Sequence, residues 1–267
     1  MVKSNLVSVL IVSYNAERYI EKTLRSCLNQ TYPDFEILVL DNNSNDRTVE
    51  IIKNLNDSRI TVFEGKKNVG PYAGLNFLLD RAEGEYIAIQ DHDDIWLPEK
   101  IERQVSYLEE NKPVIACGTE TFYFYENKGV LIADKREKFV DFVDHTSLVF
   151  RNAGFRYDPD YLLADEYFEK KIIGGKIYCI GEQLTVHRIR RDGRNYSRSR
   201  FSFSRKNVSD FFEMNGANAK SILSLFGIFV MKYFPDDAIW LIVGILKRKS
   251  TKINRADFSA LVGSDVL

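Results

Sequence analysis

Cysteine is scarce and badly placed for chemistry: Cys27, Cys117 and Cys179 are the three in 267 residues, far apart and with no CxxC or Cys/His metal spacing. Each sits in an apolar run, which suits a small buried hydrophobe in a reducing compartment. Net charge is nearly absent, with 37 Lys and Arg against 38 Asp and Glu, so whole-molecule electrostatics gives no reason to expect nucleic acid. No window approaches the roughly 20 apolar residues needed to cross a bilayer. The opening apolar run carries a single Lys, is too short for a signal peptide and reads as a first strand. A cytoplasmic location is therefore expected. Two phosphate-binding signatures, GxGxxG and GxxxxGK[ST], are missing too, so neither a dinucleotide fold nor a P-loop is supported. The length still allows one large α/β domain, or a domain plus an appendage.

What is present is strand–helix alternation. Residues 7–12 are a continuous apolar run of strand length, ended by Ser13-Tyr14-Asn15. Ile20, Leu24, Cys27 and Leu28 then recur at helical spacing, and Pro33-Asp34 breaks the helix. Residues 35–40 form a second buried strand, closed by a run rich in turn and N-cap residues from Asp41 to Asp46. A helix marked by Val49, Ile52 and Leu55 follows, then a strand at 60–63, a loop at 66–70, a helix at 71–82 and a fourth strand at 86–90. Short connections between alternating elements predict a doubly wound, mostly parallel sheet, with ligands outside the carboxyl ends of its strands.

The fourth strand runs into Asp91, Asp93 and Asp94, three carboxylates in four residues. Like charges this close repel, and each loses hydration as the site closes. A divalent cation such as Mg2+ or Mn2+, which prefers oxygen ligands, would give them a purpose. A solvated acidic turn capping the helix near Pro98 is the alternative, and the two are evenly matched on these residues alone.

The segments VSVLIVSYNAERYIEKTLRSCLNQTYPDFEILVLDNNSNDRT and NVGPYAGLNFLLDRAEGEYIAIQDHDDIWLPEKIERQ resemble the family-2 glycosyltransferases, nearly continuously over residues 6–110. The resemblance implies a GT-A fold and transfer of a sugar, with inversion, from a nucleotide-diphosphate sugar to an acceptor. It implies that Tyr14 stacks on the base, where packing alone is the rival reading. It implies that Asp41 accepts the imide N–H of uracil or thymine, where a helix N-cap is the rival. It places Ser13, Asn15, Asn68, Gly70, Asp91, His92 and Arg190 on the nucleotide sugar as well. Asp91-His92-Asp93 matches the family's DxD motif, so Asp93 would hold Mn2+ or Mg2+ with Asp91 assisting. Strand alternation turns His92 away from the metal. Asp94 is expected to cap the helix or support the site, and Trp96 with Pro98 to pack and start that helix.

The second half resembles the family more loosely. Ile101, Val105 and Leu108 mark one more helix, and residues 114–134 read as two or three antiparallel strands with a turn at 126–129. The resemblance puts a small antiparallel acceptor-side sheet there and matches Asp165-Glu166 to the acidic pair that supplies the catalytic base. By register Glu166 is that base, with Asp165 the second choice. Two departures stand out: an Arg-x-His pair is here Arg188-Ile189-Arg190, and an Arg before Asn76 is here Leu75.

The reading divides the chain into a GT-A domain over 1–200 and a helical C-terminal extension over 201–267. The nucleotide-sugar half covers about 1–112 and the acceptor half about 113–200. Basic residues from Arg188 to Lys206 interleave with Tyr196, Phe201 and Phe203, as a loop closing on the donor diphosphate or a surface for anionic lipid. The apolar runs near 221–234 and 238–246 would pack on the domain as a hairpin or lie in a membrane interface. The expected function is metal-dependent, inverting hexosyl transfer in polysaccharide or cell-envelope glycan synthesis. UDP-hexose is the first donor and a dTDP-deoxysugar such as rhamnose the second, with a saccharide or lipid-linked saccharide as acceptor. A position at the inner face of the cell membrane would suit such an acceptor. The rivals are a nucleotidyltransferase and a non-catalytic nucleotide-sugar or carbohydrate-binding domain on the same fold.

Overall fold

The computed structural model describes residues 2–126, 131–133, 138–161, 163–190, 204–219, 221–222, 225, 251–253 and 258, with backbone alone for 131–133 and 251–253. Four parallel strands form its centre: β1 (Lys3–Ser13), β2 (Phe35–Asp41), β3 (Ile60–Glu64) and β4 (Gly84–Asp91). They lie in the order β3-β2-β1-β4. The chain therefore reverses its direction of travel across the sheet between β1 and β4, where a doubly wound sheet opens its crevice.

Alternation within each strand builds two cores. Leu10, Leu38, Leu40, Ile87 and Ile89 face one side, and Val9, Ile11, Ile37, Val39, Tyr86 and Ala88 the other. On the first side lies α3 (Pro71–Leu79), through Tyr72, Leu75, Leu78 and Leu79. The second side is covered by α1 (Ile20–Leu28), α2 (Thr48–Asn54) and, after the short strand β5 (Ile95–Trp96), α4 (Lys100–Glu110). Each large apolar side chain buried this way contributes about 1.5–3 kcal/mol. Cys27, Cys117 and Cys179 are free and buried, as expected.

The antiparallel strands expected on the acceptor side are present, and they continue the same sheet. β6 (Ala116–Tyr125) pairs with β7 (Leu131–Ala133), and β8 is Lys138–Val140. A 3-10 turn, His145–Ser147, leads into β9 (Val149–Arg151), which pairs antiparallel with both β4 and β6 and so bridges the halves. α5 (Ala164–Tyr167) runs on into a π-helical turn, Phe168–Ile172. β10 (Ile177–Ile189) then lies parallel to β6 along its whole length, carrying Arg188 to the same end of the sheet as Asp91. After it come α6 (Arg205–Asn215) and β11 (Thr251–Ile253).

The helix after the acidic turn starts at Lys100 with no side-chain cap, so Asp94 does not cap it. Trp96 packs as expected, buried, with Nε1 donating to the Thr146 carbonyl at 2.8 Å. Leu75, in place of the family's Arg, is buried in the core. The turn at 127–129, the basic residues at 191–203 and most of the apolar runs beyond 222 lie outside the described residues. Among the described residues no helix is long and apolar enough to cross a membrane.

Candidate active site

Register brings the candidate residues together. Ser13 pairs with Asp41 across β1 and β2, and Val12 pairs with Asp91 across β1 and β4. The carboxyl ends of three adjacent strands therefore finish at one edge, as the alternation pattern predicts.

The side of this edge formed by β1 and β2 is laced by short polar residues. Asp41 is buried and accepts from the Ser44 backbone N–H at 2.9 Å and the Ser44 hydroxyl at 2.5 Å, with the Ser13 hydroxyl at 3.4 Å. Asn15, at φ +48, donates its N–H to Ser44 Oγ and accepts the Asn45 N–H at its own Oδ1. Asn42, which the sequence reading passed over, donates to Asn68 Oδ1 and to the Gly70 carbonyl, and accepts from Val69 N–H. Gly70 turns at φ +83 directly before Pro71, a conformation open to glycine. Tyr14 is 40% exposed beside these loops, so its ring keeps a free face.

The acidic turn splits into three environments. Asp91 has 45% of its side chain exposed. Asp93 Oδ2 lies 3.1 Å from Arg190 Nε, and the Asp93 carbonyl accepts from Arg188 Nε at 2.9 Å. Asp94 is buried; its Oδ1 accepts the Arg188 backbone N–H at 2.7 Å, and its Oδ2 lies 3.2 Å from His187 Nδ1. Asp94 is thus the tie between the turn and β10. His92 turns back on β1, with Nδ1 3.2 Å from the Val12 carbonyl. Arg188 is braced in turn by Glu126 at 3.6 Å and by the rings of Tyr19 and Phe124.

All three histidines of the chain gather here, and two were missed from sequence. His145 Nδ1 lies 3.9 Å from Asp91 Oδ1, and its Nε2 lies 2.8 Å from the Tyr157 hydroxyl. Desolvation raises the Asp91 carboxyl, yet the imidazoles of His145, His187 and His92 hold it below the ordinary range. Burial lowers His145, and Asp91, Asp165 and Asp94 more than offset it, so the imidazole is raised. His187 is raised because it faces the Asp94 carboxylate, against the effect of its own burial. The raised His187 imidazole, facing Asp94, compensates part of the charge of the crowded acids.

Across the edge, α5 presents Asp165 and Glu166. Glu166 is paired with Lys170 Nζ one turn on, and that ammonium also reaches Asn215 Oδ1 at 3.5 Å and lies 5.0 Å from the Phe142 ring. Asp165 makes no hydrogen bond or ion pair with a described residue, while its charge acts on His145 and Tyr157. Tyr157 is itself clamped through its backbone by Asn76, at 2.9 Å in both directions.

Asp91 and Asp93 are the hard oxygen donors available to a divalent cation. Among the described residues no group of three or more His, Cys, Asp and Glu is arranged to cage a metal. The donor set fits an ion that takes one or two carboxylates and completes its shell from water and substrate phosphates.

The arrangement matches known proteins. The family model described as Glycosyl transferase family 2 covers residues 8–170. The Escherichia coli protein named UDP-Glc:alpha-D-GlcNAc-diphosphoundecaprenol beta-1,3-glucosyltransferase WfaP is 37% identical over 122 residues, 46% of this chain and 45% of that one. The chain spans about half the length of the curated relatives it matches. Staphylococcus aureus TarS, solved with UDP-GlcNAc, superposes with a TM-score of 0.65 at 19% identity, over 81% of this chain and 66% of that one. The mannosyltransferase PcManGT from Pyrobaculum calidifontis, solved with GDP-Man and Mn2+, gives 0.59 at 18% identity, over 90% and 79%. The shared architecture is the GT-A fold, and with more than half of its length matched to the family model, this chain belongs to glycosyl transferase family 2.

Proposed function

We propose that the protein transfers a hexose, with inversion, from a UDP-sugar to a lipid-linked saccharide. A dTDP-deoxysugar is the second donor, since both bases offer the same imide N–H. The observation that supports this most is the in-register convergence of Ser13, Asp41 and Asp91 on the crevice between β1 and β4, with Asp165, which no described residue pairs, across it. WfaP, named for a UDP-glucose donor and a diphosphoundecaprenol-linked acceptor, supports the donor and acceptor classes.

Tyr14 stacks on the uracil ring, a contact worth about 1–3 kcal/mol by analogy with single-stranded nucleic acid. Asp41, oriented by Ser44, accepts the imide N–H; Asn15, Asn42, Asn68 and Gly70 hold the two loops that frame the nucleoside. Arg190 supplies a planar donor pair for the diphosphate. Asp91 and Asp93 would hold Mn2+ or Mg2+, which supplies charge compensation for the departing nucleotide. Asp165 takes the proton of the attacking hydroxyl, in preference to Glu166, because Lys170 already occupies the Glu166 carboxylate. The lipid-linked acceptor brings the domain to the inner face of the membrane, with residues 201–267 as the segment that meets it.

A thermal-shift screen of nucleotide sugars, with and without Mn2+, tests the reading, because a ligand bound to the native state raises the melting temperature by mass action. A UDP-hexose should give the largest shift. No response to any nucleoside diphosphate would overturn the proposal.

A further inference from the structure

The ion pair between Arg190 and Asp93 stands where the donor's diphosphate and its cation have to sit. The two groups are largely shielded from water, with 21% and 14% of their side chains exposed. Salt screens such a pair little. Asp93 has little freedom to move away, because Arg188 holds its carbonyl at 2.9 Å and Asp94 next to it is tied to β10. The neighbouring carboxylate differs: Asp91 is half exposed, and among the described residues its ion-pair partner is the His145 imidazole at 3.9 Å. One of the two acids is thus held by a guanidinium of the chain itself, while the other is half exposed.

A divalent ion approaching Asp93 Oδ2 would meet the guanidinium's positive charge 3.1 Å from that oxygen, and like charges that close repel. A diphosphate changes this, because it offers the guanidinium a planar, bidentate partner of higher charge than a single carboxylate. We infer that Arg190 is an exchangeable counter-ion of Asp93: it occupies the carboxylate while the donor is absent and passes to the diphosphate when the donor binds, so that divalent-cation binding and donor binding reinforce one another. This rests on the donor reading above and adds to it a direction of coupling. Coupling of this kind is reciprocal, and its usual size is about 5–150-fold in affinity.

The test is a Mn2+ titration followed by electron paramagnetic resonance, on the full chain and on Arg190→Gln, each without nucleotide and with saturating UDP. In the wild type, UDP should tighten Mn2+ about tenfold or more. Without nucleotide, Arg190→Gln should bind Mn2+ about fivefold or more tighter than wild type, and the extra tightening from UDP should shrink. Arg190→Lys, which keeps the charge, should leave nucleotide-free Mn2+ affinity close to wild type; circular dichroism checks that both variants are folded. Nucleotide-free Mn2+ affinity that is unchanged or weaker in Arg190→Gln overturns the inference. That arm contains no nucleotide, so failure of UDP to bind would count against the donor reading instead.

Discussion

Ser44 donates twice to Asp41, from its backbone N–H at 2.9 Å and from its hydroxyl at 2.5 Å, so the acid that ends β2 is held in one orientation before any ligand arrives. A hydrogen bond to a charged group contributes about 1.5–3 kcal/mol net. Asp41→Asn should therefore weaken UDP about 10–100-fold. Ser44→Ala, which keeps the backbone donor, should cost less. Isothermal titration with UDP reads both effects, and unchanged affinity in Asp41→Asn would remove Asp41 from the nucleoside site.

Asp165 and Glu166 are adjacent on α5 and differ in their partners: Lys170 neutralises Glu166, and no described residue pairs with Asp165. General-base catalysis contributes about 10²–10⁴-fold in rate. Asp165→Asn should lower kcat by about that factor with UDP-sugar affinity retained. Glu166→Gln should lose an i,i+4 pair of about 0.3–0.5 kcal/mol and keep kcat within a few-fold. Single-turnover kinetics on the two variants separates the residues; the reverse ranking would return the base to Glu166.

At the far end of the sheet from the site, Gly84 fits between β4 and β1 with no room to spare. A Cβ there would stand 2.6 Å from both the Leu6 carbonyl oxygen and the Ser8 nitrogen, which are backbone atoms that cannot turn aside. Gly84→Ala should force the two strands apart at that end and cost about 1–3 kcal/mol. Urea unfolding measures this. The register Val12 to Asp91 is set at the other end of the same strand pair, so donor affinity of the folded protein should stay near wild type. An unchanged unfolding midpoint would show that the strands accommodate the methyl group.

How far these sites were legible from sequence depends on the distance between partners. Ser13, Asp41 and Asp91 were readable because each ends an apolar strand, and strand periodicity with short connections fixes which end of the sheet they share. Asp94 was not: its role is set by the Arg188 N–H, 94 residues further on, and local pattern carries no record of that pairing. His145 and His187 were missed for the same reason. One signal was present, since the chain has three histidines and one of them already stood inside the acidic motif. By register Glu166 ranked ahead of Asp165, and the Lys170 partner that sets the two apart is in place only once the helix is built. The parallel pairing of β10 with β6 also escaped the reading, because the ten residues of β10 that pair with β6 lie some sixty positions after it.

Lys100 shows the same limit on stability, and it makes a pH-dependent prediction. Its neighbours Ile101, Val105 and Leu108 mark the inner face of α4, yet Lys100 is itself fully buried, with Nζ 2.8 Å from Gln104 Oε1 and 4.0 Å from the centre of the Trp96 ring. Among the described residues no carboxylate pairs with it there, and burial lowers its pKa from 10.5 to about 7. Between those values the unfolded chain carries the proton and the folded chain does not, so stability rises with pH across the window from about 7 to 10.5. The slope is on the order of 1.4 kcal/mol per pH unit at most. Below about 7 both states are protonated and the full cost of burying the ammonium applies. Lys100→Met keeps the volume and removes the charge, and Gln104 still donates to the Cys117 and Ser147 carbonyls. Urea unfolding at pH 7 and pH 9 should show wild type gaining stability with pH and the variant gaining none from this position. The variant's advantage should therefore be largest at the lower pH. Parallel pH dependence in the two proteins would mean that Lys100 keeps its proton inside the folded core.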